Sequence, residues 1–181
     1  MNRIIKLIEN PIMLIPFLGT RNYLKWMDDT KYLKLTYKAK FKRNLDLRIP
    51  IGFNEKMQWL KLNYRRNIQT DLVDKLKVKD IIKSDFGEKY VIPTIAFWDK
   101  VEDIDFDKLP NQFVLKATHD SGSVIVCQDK SKLDIKKTKI KLNEALAKNY
   151  FYPGREWPYK NVKPRIICEK YGIFPSADEW A

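Results

Sequence analysis

The hydrophobic positions along the chain change their period partway through. Residues 22–43 and 54–66 carry apolar side chains at helical intervals, and in the second stretch, opening at Asn54, Met57, Leu60 and Tyr64 fall on one side. Trp59 is expected to pack between helices. A third helix is predicted over about residues 70–83, with Thr70 and Asp71 as capping residues and Gly87 beyond its end. The pattern then turns β-rich from Tyr90 to Trp98, and Phe113 to Leu115 and Val124 to Cys127 supply two further strands. Asp134 caps a helix whose Ile135, Leu142, Leu146 and Tyr150 recur on one face. An apolar run after Pro164 ends in Glu169 and Lys170, where Glu169 also reads as an exposed strand-end carboxylate. Helices first, then strand, loop, strand and helix, predict an α+β fold in which a helical amino-terminal region precedes a strand-rich lobe.

Composition sets the scale of that fold. The chain has 181 residues, 44% of them hydrophobic and 13% aromatic, enough for one substantial core or two small lobes. Cys127 and Cys168 sit in apolar strand-like runs without CxxC spacing, which predicts buried thiols in a reduced, cytoplasmic protein and neither a disulfide framework nor a zinc site. Residues 1–19 hold apolar positions interrupted by Pro11 and Pro16. They are too short and too broken to span a bilayer, and Glu9 and Asn10 split the apolar run of a signal peptide.

Charge is uneven. Residues 1–80 hold 18 Lys/Arg against 8 Asp/Glu, a net of +10, whereas residues 81–181 hold 17 against 15, a net of +2. Between Arg21 and Arg48 basic residues alternate with aromatics, as in Tyr32, Lys34, Tyr37, Lys38, Lys40, Phe41 and Arg43. Such a segment suits an anionic membrane face or a polyanionic glycan, or forms a solvated helix packed by its apolar side. Specific nucleic-acid binding is not expected, because no recognised motif accompanies the charge.

One stretch stands out for chemistry. Phe113-Val-Leu-Lys116-Ala-Thr-His119-Asp-Ser121-Gly122-Ser123 joins a strand to a polar Gly/Ser loop. Lys116 closes the strand, and Ser121, Gly122 and Ser123 can bring backbone N–H groups close to a phosphate; Asp120, Ser121 and Gly122 also make an ordinary hairpin turn. His119 is the only imidazole, without a neighbouring nucleophile, and is expected to orient the loop or hydrogen-bond a phosphate oxygen. Asp103, Asp105 and Asp107 have the spacing of a metal-binding Asp-x-Asp pair but read as an acidic loop. The aromatic run from Tyr150 to Tyr159 reads as a packed connector that could also stack on a sugar. No catalytic residue and no metal ligand is assigned.

The order of Asp74-Lys75, the Lys116 loop and Glu169 resembles the first half of an ATP-grasp enzyme. Three stretches resemble the TupA-like ATP-grasp family more narrowly: Phe53-Asn-Glu-Lys-Met-Gln-Trp59-Leu60, the run from Asp105 to Lys116, and Tyr152-Pro-Gly-Arg155-Glu-Trp157-Pro-Tyr159. The likeness covers roughly residues 50–171. It implies a small nucleotide-covering lobe in which Lys75 or Lys79, Lys116 with its loop, and Glu169 contact ATP, the strand edge at Glu169 bonding the adenine. It implies ATP and Mg²⁺ as cofactors, and an ATP-dependent step in making a cell-surface polysaccharide or teichuronopeptide; relatives are often labelled glycosyltransferases. ATP-grasp ligases phosphorylate a carboxylate that an amine or thiol then attacks. A glycosyltransferase proper and a non-catalytic, membrane-apposed binding protein are the alternatives. The expected layout is a basic helical segment (1–50), a helix and strand part (51–110), a nucleotide-binding lobe (111–171) and a divergent tail (172–181). The Mg²⁺ ligands of such enzymes lie on a second half, so the chain is expected to end before them, with a second chain as one way to complete the site.

Overall fold

The computed structural model describes residues 10–172. Its helices and strands are α1 (Leu14–Gly19), α2 (Asp29–Phe41), α3 (Phe53–Asn63), α4 (Asn67–Val73), α5 (Lys77–Phe86), β1 (Thr94–Trp98), β2 (Phe113–Ala117), β3 (Ile125–Cys127), α6 (Ile135–Leu146), α7 (Phe151–Gly154) and β4 (Ile166–Lys170), joined by turns and short 3-10 segments. The described residues divide into two compact units, 10–71 with 149–161, and 72–148 with 162–172.

The first unit is helical. Leu24, Met27, Tyr32, Leu33, Tyr37 and Leu45 form its core. α2 begins at Asp29 rather than at residue 22, because Asp28 caps it by accepting from the Lys31 amide at 2.9 Å, while the preceding residues turn through Asn22 at a φ of 64°. Gly19 is required by close approach, since a Cβ there would fall 1.9 Å from the Tyr32 hydroxyl oxygen. α3 starts where Glu55 reaches back to the Gly52 amide and ends at Asn63. Trp59 is exposed on it rather than packed between helices. Arg155, at a φ of 52°, is buried among Tyr32, Phe151 and Tyr152. Its guanidinium donates to the carbonyls of Leu24 (2.7 Å), Met27 (3.1 Å) and Tyr152 (3.0 Å) and pairs with Asp29 at 2.9 Å. The aromatic stretch is thus a packed connector held by one cation.

The second unit is a four-stranded antiparallel sheet of order β1-β4-β2-β3, covered on one face by α6. Phe113, Leu115, Ala117, Ile166 and Cys168 point to that face and join Leu142 and Ala145 in the core, with Val101, Ile104, Phe106 and Leu109 closing it. α6 is capped by Asp134, whose carboxylate accepts from the Lys137 amide at 2.9 Å. It ends at Leu146, and its buried stripe is Thr138, Leu142 and Ala145, leaving Ile135 exposed and Tyr150 beyond the helix. Both thiols are buried and unpaired with each other. The predicted helix over 70–83 is two helices. Asp74 takes the Leu76 amide (2.9 Å) and the Lys75 amide donates to the Thr118 carbonyl (3.1 Å), so the backbone leaves the helical ladder between them; Thr70 and Asp71 lie inside α4 rather than capping it.

Candidate functional site

The alternation of β2 and β4 decides which side chains meet. With Phe113, Leu115 and Ala117 turned to the core, Lys116 projects from the opposite face of the sheet, where Ile167 and Glu169 of β4 are also buried. β4 runs antiparallel beside it with Val114 opposite Glu169 and Lys116 opposite Ile167, so Lys116 and Glu169 are diagonal neighbours on that second face. A lysine side chain spans such a diagonal. Its ammonium lies 2.5 Å from Glu169 Oε2. Lys79 arrives from the first turn of α5 and places its ammonium 2.6 Å from Glu169 Oε1. Each carboxylate oxygen therefore faces its own cation, and the Glu169 side chain is only 4% exposed.

The two lysines differ in what they have left to give. An ammonium has three donors. Lys79 commits all three, to Glu169, to the Ile92 carbonyl at 2.7 Å and to the Thr94 hydroxyl at 3.0 Å. Among the described residues Lys116 commits one, to Glu169, and its side chain is 20% exposed. Lys116 thus keeps open donors at the sheet surface.

A second cluster adjoins the first. The Lys75 ammonium donates to the carbonyls of Ala117 (2.9 Å) and Asp120 and lies 3.7 Å from the Asp120 carboxylate. Ser123 donates its hydroxyl to Asp120 at 2.7 Å and accepts from the Ala117 amide at 3.1 Å. Thr118 ties the loop to the segment before β4, its amide donating to the Arg165 carbonyl at 2.9 Å and its hydroxyl to the Lys163 carbonyl at 3.2 Å. Burial pushes the Lys75 ammonium below its ordinary value of 10.5, with Lys116 adding to the effect and Asp120 opposing it. The loop base is therefore stapled, while its tip is free. Ser121 and Gly122 are exposed, and Gly122 has a φ of 123° with open space where a Cβ would lie.

The structure thus sorts the sequence-predicted residues. Lys79, Lys116 and Glu169 meet; Lys75 and Ser123 hold the loop; Ser121 and Gly122 form its tip. His119 lies apart in the interior, its Nε2–H shared between the carbonyls of Ala145 (3.2 Å) and Lys148 (3.0 Å), where it ties the loop to the end of α6 and faces no surface. Lys75 and Lys79, indistinguishable by sequence, have different roles. Asp120, read from sequence as a turn residue, is the loop's carboxylate anchor, and the signal for it was its place between His119 and a Ser-Gly-Ser run.

Two sequence expectations change. β4 is an interior strand, paired with β1 and β2 along Ile166–Lys170, so the strand at Glu169 offers no free edge to a base; unpaired backbone begins at Tyr171. Glu169 is also not a solvent-exposed strand end, since lysines enclose it. Among the described residues no group of three or more His, Cys, Asp or Glu could hold a metal ion. Asp105 caps a turn through the Asp107 amide (3.2 Å) and pairs with Lys108 (3.0 Å).

The site is thus an antiparallel sheet with two lysines on one face and a stapled, Gly-tipped loop at its rim. The family model described as TupA-like ATPgrasp matches residues 55–180, and the chain belongs to that family. The match takes in α3, the break at Asp74-Lys75, the Lys116 loop and β4. No curated protein and no solved structure matches the chain. Among the described residues no helix is long and apolar enough to cross a membrane.

Proposed function

We propose that the second unit binds ATP at the sheet face opposite α6, beside the loop tip at Ser121 and Gly122, with Lys116 donating to a phosphate oxygen. The observation that carries this reading is the convergence of Lys79 and Lys116 on Glu169, which fixes the Lys116 ammonium on the sheet and leaves it open donors. Lys79 acts by charge and by holding Glu169 in place, because its own donors are committed. Lys75, Lys79 and Lys116 are matched by Glu169, Asp120 and Asp74, so the attraction for a phosphate rests on the donors Lys116 has left. Ser121 and Gly122 add backbone N–H groups at the loop tip.

The residues fit ATP phosphate; none of those described is assigned to Mg²⁺. In the wider superfamily ATP supplies a phosphoryl group to a carboxylate. For this chain a ligase or transferase step in cell-surface polysaccharide synthesis follows from family likeness, with a glycosyltransferase as the second reading. The basic stretch between Arg21 and Arg48 suits an anionic glycan or the inner face of a membrane.

Isothermal titration with ATP and Mg²⁺ tests the proposal. Wild-type protein gives saturable heat, and Lys116→Ala weakens binding about tenfold or more, the size of one lost charge-assisted hydrogen bond. Equal heats from the two proteins overturn it.

A further inference from the structure

The chain between α2 and α3 is a protrusion fixed at both ends. On one side Leu45 is buried in the helical core, Leu47 packs against it, and the Asp46 carboxylate accepts from the amides of Arg48 (2.8 Å) and Ile49 (3.3 Å). On the other side Glu55 Oε2 accepts from the amides of Ile51 (3.1 Å) and Gly52 (3.0 Å). Arg43 bonds the Tyr37 hydroxyl (2.8 Å) and pairs with Glu55 Oε1 (3.4 Å), which sets a guanidinium beside Gly52. Between these anchors Ile49, Ile51 and Phe53 are 72%, 78% and 76% exposed. Single exposed apolar residues are ordinary; three at alternate positions, two on a pinned loop and one at the first residue of α3, form a patch held in water at a cost.

The charge around the loop indicates what covers it. Residues 38–56 hold six Lys/Arg and two acidic residues, a net of +4. Asp46 is committed to backbone amides and Glu55 is buried, so the outward charge of this segment is cationic. Apolar side chains ringed by Lys and Arg match an interface of anionic headgroups over acyl chains. They match a protein surface less well, because a partner would have to offer both an apolar pocket and a ring of carboxylates.

We propose that residues 49–53 are a membrane-insertion loop, with Ile49, Ile51 and Phe53 entering the acyl boundary of an anionic bilayer and Arg43 and Arg48 meeting its headgroups. The loop precedes the family match, which begins at residue 55. The inference deepens the reading of the basic segment as a surface for an anionic membrane and rests on it.

Co-sedimentation of the full chain with phosphatidylcholine vesicles, with and without phosphatidylglycerol, tests it at low and physiological salt. The wild type binds the anionic vesicles and weakens as salt rises. Ile51→Ser combined with Phe53→Ser keeps the wild-type circular dichroism and melting curve but loses about tenfold or more in vesicle affinity, since fully burying one large apolar side chain already exceeds a tenfold change. A double variant that binds like wild type overturns the insertion loop and leaves a purely electrostatic surface. Wild-type protein that ignores every vesicle overturns both readings and assigns the loop to a protein partner.

Discussion

Replacing Glu169 by Gln keeps the shape of the side chain and removes one buried negative charge from between two ammoniums. Breaking a buried ion pair by removing one partner costs about 3–5 kcal/mol, because the charge left behind is uncompensated. Here two cations are left, but the Lys79 and Lys116 side chains are 13% and 20% exposed and can turn partly towards water. The lower end of the range, about 3 kcal/mol, is therefore expected. For a chain of this length that corresponds to a drop of about 6–12 °C in melting temperature. Lys116→Met should cost less, about 1 kcal/mol, because Glu169 keeps Lys79 and the hydrogen bonds of Lys79 to Ile92 and Thr94 are untouched. Urea unfolding followed by circular dichroism measures both. A Glu169→Gln cost below about 1 kcal/mol, equal to that of an exposed pair, would refute the claim that this carboxylate organises the face opposite α6.

Arg155→Met removes the donor that ties Leu24, Met27 and Tyr152 together and leaves Asp29 without that partner; a loss of about 3 kcal/mol in urea unfolding is expected, and Arg155→Lys should recover little because an ammonium lacks the planar fork. Burial raises the Cys127 thiol and pushes Cys168 up to about 11, with Glu169 adding to the latter, so both should react with a disulfide reagent at pH 8 only as fast as the protein opens; reaction within seconds would contradict their burial. Asp99 is held below its ordinary value of 3.8, first by the Lys163 hydrogen bond and then by Arg165. Its folded pKa is depressed, so its contribution is present above 3.8 and fades as pH falls through the folded value. Asp99→Asn should flatten the acid end of the stability curve and leave its slope at neutral pH unchanged.

How far the sequence disclosed this fold depended on where backbone hydrogen bonds go. β2 and α6 were legible because alternation and a capping Asp134 act within a few residues. The helix over 70–83 was not, since its break at Asp74-Lys75 depends on Thr118, more than forty residues away, accepting the Lys75 amide. α2 was overextended because the aromatic and basic residues after Arg21 keep a helical rhythm that Asp28 cuts short. In the site, Lys116, Lys79 and Glu169 were all named from sequence, but their division of labour was not. That division needs the strand order, which makes β4 interior and sets Glu169 diagonally across from Lys116. His119 drew attention as the lone imidazole, yet its partners are carbonyls at the end of α6 that no local pattern announces. The protruding Ile49, Ile51 and Phe53 alternate over too few residues to announce an element, and only their exposure reveals them as a patch.

The most direct measurement is a crystal structure of the protein soaked with a non-hydrolysable ATP analogue. The account predicts a phosphate oxygen within hydrogen-bond distance of the Lys116 ammonium, on the sheet face opposite α6, with Glu169 still bridging to Lys79. Nucleotide bound elsewhere, or phosphates that avoid Lys116, would contradict it.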